Sequence, residues 1–216
     1  GVHSGDSACV LPPYMVAPEH IETMRDYTVR LARALDVVGL INIQYAMKDN
    51  VVYVLEVNPR ASRTVPFIAK STRTPWAQIA VQVIAGRFGQ IQNRELLPDL
   101  TRLRDYQQII ADTQSPFNYH VKEVILPWER FPGVDITLGP EMRSTGEAMG
   151  SGATFGEAFA KAHLGCRHKL PMQGNAFLSV HDHDKANLIP IARDLAALGF
   201  KLFATMGTAI DRKSVV

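Results

Sequence analysis

The sequence has 216 residues, of which 46% are hydrophobic, 20% charged and 8% aromatic. This is the composition of a globular protein that can bury a sizeable core, and it excludes disordered, collagen-like and coiled-coil chains. Lys and Arg (23) nearly balance Asp and Glu (21) without long runs of like charge, and no apolar stretch is long enough to span a membrane. Neither a nucleic-acid partner nor a membrane role is therefore expected.

The cysteines and the chain ends add two expectations. Cys9 and Cys166 lie far apart and lack the spacing of a zinc site, so we expect no disulfide framework and a reducing, cytoplasmic location. The chain begins at Gly1 with no initiator methionine or signal-like segment, and it stops soon after a predicted strand. We therefore expect a fragment of a longer protein.

The first half of the chain predicts a helix, a hairpin and a second helix. Residues 18–35 begin with proline and space their apolar side chains along one helical face. Residues 40–47 and 51–57 are apolar and rich in β-branched side chains, and the polar residues 48–50 join them, which predicts a β-hairpin. Residues 75–87 repeat the proline-led helical pattern.

The middle of the chain is less regular. Residues 88–120 lose periodicity and are rich in polar side chains, so we interpret them as a connecting insertion. Residues 121–126 predict a short strand. Thr154 and Glu157 form a capping-box pattern that opens a helix ending near Leu164.

A second domain is expected near the C-terminus, because periodicity is lost again after residue 166. We assign residues 1–166 to the first domain and residues 167–216 to the second. In the second domain, a strand at 176–180, a helix at 184–198 and a strand at 201–205 predict a βαβ unit. The predicted fold class is α/β.

The hairpin places polar side chains on one face. If the turn centres on Asn50, Gln44 and Glu56 are equally distant from it and face each other with Cβ atoms about 5 Å apart. Asn58 follows one step along the same face, opposite Asn42. One carboxylate and two amide oxygens form a hard ligand set that suits Mg²⁺ or Mn²⁺ and leaves positions for phosphate oxygens. The sequence therefore predicts a divalent-metal site.

Two arginines follow this face directly. Arg60 and Arg63 could neutralise a transferring phosphoryl group or hold a carboxylate-like acceptor. Upstream, the loop that begins at His3 could line a nucleotide site with its ring and backbone amides. A polar hairpin face alone is more often a solvated sheet edge, but these flanks favour a phosphoryl-transfer site.

Several segments resemble the large subunit of the carbamoyl phosphate synthase family. They are residues 1–9 (GVHSGDSAC), 38–44 (VGLINIQ) and 55–67 (LEVNPRASRTVPF). The resemblance continues through residues 139–147 (GPEMRSTGE) and into the last segment. It covers nearly the whole chain except residues 88–120, which are longer than the usual connection in this family.

The resemblance implies a fold and an activity. The family has two ATP-grasp halves, and only the second adjoins a regulatory domain similar to the segment from residue 176 onward. Residues 1–166 are thus expected to be an α+β ATP-grasp C-terminal subdomain, and residues 167–216 part of a Rossmann-like, methylglyoxal-synthase-like α/β regulatory domain. The implied enzyme is an ATP-dependent carbon–nitrogen ligase that phosphorylates carbamate to carbamoyl phosphate for pyrimidine and arginine synthesis.

The resemblance also implies roles for individual residues. Gln44, Glu56 and Asn58 correspond to ligands of Mg²⁺ or Mn²⁺, and Arg63 and Arg60 to contacts of the phosphoryl group or carbamate. The implied nucleotide contacts are Gly1, Val2, His3, Ser4, Gln44 and Glu56.

Regulation and partners are implied in the same way. Lys185, Thr205 and Thr208 correspond to phosphate contacts of a nucleotide monophosphate effector, uridylate or inosinate, in an allosteric enzyme. A glutaminase small subunit would supply ammonia, and the intact enzyme would be a homo-oligomer. Because the family's nucleotide lid would precede Gly1, we expect the isolated chain to be inactive.

Other interpretations remain open at this point. A biotin-dependent carboxylase shares the spacing of the acid and asparagine, although Gln44 and the trailing segment argue against it. A non-catalytic regulatory or assembly module could use the same face only as scaffold. Residues 181–184 (HDHD) invite a metal site, but we interpret them as a loop with Asp184 as a helix N-cap.

Overall fold

The computed structural model describes residues 3–87 and 119–209. They divide into two compact units, the first reaching His168 and the second beginning at Lys169, two residues beyond the boundary expected from sequence. In the described ranges the strands are β1 (Cys9–Leu11), β2 (Asn42–Lys48), β3 (Val51–Asn58), β4 (Tyr119–Ile125), β5 (Gly146–Gly152), β6 (Asn175–Leu178) and β7 (Lys201–Ala204).

The described residues form both helices and sheets, which confirms the predicted α/β class. Within the described ranges, no helix combines the length and the apolar character needed to cross a bilayer. The helices in these ranges are α1 (Pro18–Ala34), α2 (Val65–Thr72), α3 (Trp76–Arg87), α4 (Phe155–Gly165), α5 (Lys185–Ala197) and α6 (Met206–Ala209).

Most predicted elements are confirmed with shifts of a few residues, but four elements were not predicted, one of which is the four-residue helix α6. Strand β1 has three residues, which is too short for a periodicity signal. Strand β5 contains three glycines and does not alternate apolar and polar side chains. Helix α2 has eight residues. The expected insertion at 88–120 lies outside the described residues except for its last two, which correct that boundary because they begin β4.

A three-stranded antiparallel sheet and one helix form the core of the first unit. Strand β4 lies between β1 and β5. Helix α4 packs on one face, where Val121 meets Ala158 and Ala162, and all three side chains are buried. Thr154 accepts a hydrogen bond from the Glu157 amide at 3.2 Å, which confirms the predicted start of this helix.

The hairpin β2–β3 forms a separate two-stranded sheet joined by a two-residue turn. Asp49 and Asn50 have φ angles of 52° and 61°, the left-handed conformations that a type I′ hairpin requires. The three-residue turn expected over 48–50 is wrong, because Lys48 already pairs with Val51.

A β-bulge restores the expected alignment away from the turn. Gln44 pairs with Glu56, whereas Tyr45 pairs with Val54 and leaves Leu55 as the extra residue on β3. Equal spacing about the turn therefore holds at the polar end of the hairpin but not beside the turn. The bulge is what brings the predicted ligand positions into register.

Helix α1 anchors the hairpin through Tyr45. The Tyr45 hydroxyl lies 2.7 Å from Thr28 Oγ1 and donates to the Met24 carbonyl at 3.1 Å. These bonds fix the β2 strand from the side opposite to the polar face, because Tyr45 and Gln44 are neighbours along the strand and point to opposite faces.

The second unit is a βαβ arrangement, as predicted. Strands β6 and β7 pair in parallel, with Phe177 opposite Phe203, and α5 connects them. Both phenylalanines are exposed, and the Lys201 ammonium lies 5.3 Å from the centre of the Phe203 ring.

Candidate functional site

A cavity of about 520 Å³ in the first unit gathers most of the predicted site residues. The hairpin contributes Asn42, Gln44, Glu56 and Asn58 to its lining. The loop that follows β3 and two more distant segments supply the remaining lining residues, which are His3, Ser4, Arg60, Ser62, Arg63 and Pro140.

The polar hairpin face has the register that the sequence predicts. Gln44 is paired with Glu56, and Asn42 is paired with Asn58 on the adjacent step. The Asn58 side-chain nitrogen donates to Glu56 Oε1 at 2.6 Å. Because Glu56 is the hairpin's one carboxylate in the cavity lining, its negative charge is concentrated among amide groups.

This donor set fits a hard divalent cation. Among residues 3–87 and 119–209, no three His, Cys, Asp or Glu side chains come together as a metal-binding group. One carboxylate with Gln and Asn oxygens suits Mg²⁺ or Mn²⁺. A half-turn of the Asn58 amide would direct its oxygen, rather than its nitrogen, toward Glu56 and a cation beside it.

His3 has a defined ring orientation at the rim of the cavity. Its Nδ1 accepts a hydrogen bond from the Gly5 amide at 2.9 Å. In the neutral ring the proton must then reside on Nε2, because a nitrogen that accepts cannot also carry the proton. Nε2 is thus the atom that can donate to an anionic ligand. The other implied contacts at this end, Gly1 and Val2, lie outside the described residues.

Two guanidinium groups lie beside the carboxylate face. Arg60 donates through one terminal nitrogen to the Ala61 carbonyl at 3.0 Å, which holds its side chain back along its own loop. Arg63 lines the same cavity. The backbone amide of Arg60 donates to the Asn58 carbonyl at 2.8 Å, so the loop turns immediately after the strand and keeps both arginines near the hairpin.

One buried acid beside the cavity, Asp6, was not predicted as a site residue from the sequence. Asp6 accepts hydrogen bonds from the backbone amides of Arg143 and Ser144. Burial alone would raise the pKa of the Asp6 carboxyl, but these hydrogen bonds outweigh it and hold the pKa below its ordinary value. No local sequence signal could have joined residues that lie 137 positions apart.

The predicted effector residues lie at one end of the βαβ unit. Lys185 and Thr208 line a largely apolar cavity of about 630 Å³. Thr205 is not among its lining residues, but its hydroxyl donates to the Thr208 hydroxyl at 2.9 Å. The Lys185 ammonium is 2.7 Å from Asp182 Oδ1, so an anionic ligand here would compete with that carboxylate.

The side chains of His181, His183 and Asp184 contact one another in the loop before α5. The Nδ1 atoms of His181 and His183 are 2.7 Å apart, and His183 Nε2 is 3.2 Å from Asp184 Oδ1. Asp184 precedes α5 as expected, but the predicted cap is wrong in one respect because its side chain makes no capping hydrogen bond.

Comparison with known proteins extends the resemblance. Residues 1–90 match the family described as carbamoyl-phosphate synthase L chain, ATP binding domain. Over 97% of its length, the chain is 50% identical to the carbamoyl phosphate synthase large chain of Acidobacterium capsulatum and 52% identical to that of Pasteurella multocida, and it covers 18% of each. It is also 48% identical to the C-terminal section of that large chain in Methanocaldococcus jannaschii, of which it covers 33%.

The chain thus spans about a fifth to a third of the length of these relatives. The matched range 1–90 contains the hairpin and both arginines that line the cavity. The chain is therefore similar to a segment of carbamoyl phosphate synthase large chains, and its residues 1–90 match the model of the ATP-binding domain of those chains.

Proposed function

We propose that this chain supplies the metal- and phosphate-binding face of an ATP-dependent ligase that phosphorylates carbamate. In the proposed reaction, a carbamate oxygen attacks the γ-phosphorus of ATP, the bond to the β,γ-bridging oxygen breaks, and carbamoyl phosphate and ADP result. The observation that carries this proposal is the cross-strand pairing of Gln44 with Glu56 in a cavity that also contains Arg60 and Arg63.

Different residues of the cavity would bind the metal ion and the carbamate. Gln44, Glu56 and Asn58 would hold Mg²⁺ or Mn²⁺, which when bound supplies positive charge to the nucleotide phosphates. Arg63, with Arg60, would orient carbamate and neutralise the charge that develops during transfer.

At the rim, His3 would donate through Nε2 to a nucleotide oxygen, and Ser4 would contact the nucleotide beside it. Such catalysis is mainly positioning and electrostatic stabilisation, since little covalent chemistry falls to the protein in phosphoryl transfer.

The expected domain assignments and partners are part of this proposal. The first unit would be the C-terminal subdomain of an ATP-grasp fold, and the second part of a regulatory domain whose Lys185, Thr205 and Thr208 meet a nucleotide monophosphate. Ammonia from a glutaminase small subunit, a homo-oligomeric assembly and a cytoplasmic location complete it. The large-chain names of the relatives support this proposal over a biotin-dependent carboxylase.

A Mn²⁺ titration tests the metal site. We expect the wild-type chain to bind Mn²⁺ and the Glu56→Ala variant to bind it about 10–100-fold more weakly, because the variant loses the carboxylate of the ligand set. Electron paramagnetic resonance of free Mn²⁺ gives the affinity directly.

Glu22→Ala is the charge-matched control for this titration, since Glu22 is exposed on α1 and pairs with Arg25 at 2.8 Å. It should bind Mn²⁺ like the wild type. If the Glu56→Ala variant binds Mn²⁺ as tightly as the wild type, the proposed metal site is wrong. That result would instead favour a non-catalytic module, in which this face is scaffold and only nucleotide monophosphate binds.

We further infer that the chain alone does not turn over ATP. The described residues that line the cavity are almost all polar, so they can contact the phosphates of ATP, but they provide little of the apolar surface with which nucleotide sites normally enclose a nucleobase. We expect the purified chain to release no more phosphate from MgATP than a buffer blank, with or without bicarbonate and ammonia. A steady ATPase rate that Arg63→Ala abolishes would contradict this inference.

A further inference from the structure

A buried carboxylate joins two loops of the first unit. Asp6 is only 4% exposed, and its oxygens accept hydrogen bonds from the Arg143 amide at 2.8 and 3.1 Å and from the Ser144 amide at 2.7 Å. In return, the Ser144 hydroxyl donates to the Gly5 carbonyl at 2.7 Å. We call this set of hydrogen bonds the Asp6 clasp.

Both loops of the clasp border the proposed nucleotide cavity. His3 and Ser4 line the cavity and precede Asp6 by at most three residues, while Pro140 lines it from the other loop, three residues before Arg143. The Asp6 amide also donates to the His3 carbonyl at 2.9 Å. A movement of either loop at the clasp would therefore displace residues at the cavity rim.

Close packing reinforces the clasp. A Cβ atom added at Gly5 would lie 2.6 Å from Met142 Sδ and 3.0 Å from His3 Nδ1. The space between the loops is thus filled by the Met142 side chain and the His3 ring, and glycine permits this approach. The same contacts set the orientation of the His3 ring, whose Nδ1 accepts from the Gly5 amide.

The hydrogen bonds also explain how an acid is tolerated beside a site for anions. Three N–H···O contacts occupy most of the accepting positions of the Asp6 carboxylate. Its charge is compensated by backbone dipoles, and its oxygens face the second loop. Asp6 is thereby suited to hold backbone in place and poorly suited to bind a cation or a phosphate itself.

We propose that Asp6 is a positioning residue for the nucleotide side of the cavity, which it serves by holding His3 and Ser4 against the loop that contains Pro140. This inference rests on the proposed function. In this proposal the cavity has two parts that are held by different contacts. The hairpin positions the metal ligands, and the Asp6 clasp positions the rim residues that would contact the nucleotide.

The test measures binding of two probes to the chain, Mn²⁺ alone and a non-hydrolysable ATP analogue with Mn²⁺ present. In Asp6→Asn, an amide group replaces one acceptor and faces backbone N–H donors. We expect the analogue to bind about tenfold more weakly, because the clasp loses one charge-assisted hydrogen bond and no longer holds the rim residues in place. The affinity for Mn²⁺ should stay within about twofold of the wild-type value. Ser144→Ala, which deletes one bond of the clasp, should weaken analogue binding less.

Thr154→Ala is the control for a general loss of stability. Thr154 caps α4 through its hydrogen bond with the Glu157 amide and does not line the cavity. This variant should melt at a lower temperature and bind both probes like the wild type. If Asp6→Asn does not fold, Ser144→Ala carries the comparison.

The outcomes separate this inference from the proposed function. Analogue binding that is unchanged in Asp6→Asn, or weakened equally in Thr154→Ala, overturns the positioning role. A wild-type chain that binds Mn²⁺ but not the analogue also overturns it and leaves the metal site standing. A wild-type chain that binds neither probe overturns the proposed function and this role together.

Discussion

Replacing Gly150 with alanine should unfold or severely destabilise the first unit. A Cβ atom at this position would lie 2.2 Å from the Ala158 carbonyl oxygen and 2.3 Å from the Ala162 amide nitrogen. Both atoms belong to the backbone of α4, so no side-chain rotation can relieve the overlap. The helix would have to move away from β5 and open the core around Val121, which we expect to cost about 4 kcal/mol or more.

Urea denaturation followed by circular dichroism measures this effect. Gly146→Ala on the same strand is the matched control, because its Cβ atom would meet only the end of the Ile125 side chain at 3.3 Å. We expect the control to change the free energy of unfolding by no more than about 1 kcal/mol. Equal stability of the two variants would mean that α4 does not pack on the sheet as described.

The contact at Gly150 shows why strand β5 could not be predicted. A strand that lies against the backbone of a helix needs small residues, and Gly146, Gly150 and Gly152 remove the apolar alternation by which strands are recognised. The helix on the other side of the contact was predicted, because Thr154 and Glu157 mark its start locally.

The metal-binding face could be predicted because a hairpin is a local structure. Its register depends on residues within a few positions of the turn, and the spacing of Gln44 and Glu56 was sufficient to pair them. The predicted turn was nevertheless one residue too long, and an unforeseen bulge at Leu55 compensated for it. Asp49 and Asn50, which tolerate positive φ angles, were the local signal for the shorter turn.

The Asp6 clasp could not be predicted for the opposite reason. Its two sides are separated by 137 residues, and its acceptors are met by backbone amides, which every non-proline residue has. An aspartate in a Gly- and Ser-rich loop is usually a solvated turn residue. Only the fold shows that Asp6 is buried and that a distant loop satisfies it.

The largest electrostatic effect in the sheet is expected at an ion pair between a buried lysine on β4 and a glutamate on β5 that reaches solvent. The Lys122 side chain is almost completely buried, whereas Glu147, whose Oε2 lies 3.4 Å from the ammonium, is partly exposed. Lys122 also lies opposite Cys9 on the neighbouring strand β1. Burial raises the pKa of the Cys9 thiol, and the positive charge of the Lys122 ammonium partly offsets this rise.

The two halves of this pair should respond unequally to mutation. Glu147→Ala leaves a buried ammonium without its carboxylate, and we expect it to lower the free energy of unfolding by about 3–5 kcal/mol. Lys122→Met keeps the long apolar stem and leaves a carboxylate that water can reach, so its cost should stay below about 1.5 kcal/mol. The double variant should resemble Lys122→Met, because no buried charge then remains to be compensated.

Urea denaturation of the two single variants and the double variant forms a cycle that isolates the pair. We expect Lys122→Met to restore most of the free energy of unfolding that Glu147→Ala loses. If the double variant is instead as unstable as the sum of both single variants, Glu147 contributes through packing or strand pairing, and the ammonium is stabilised by other groups. The Lys122 side chain is enclosed by protein, whereas Glu147 reaches solvent. This difference in burial explains why the two single variants should lose unequal amounts of stability.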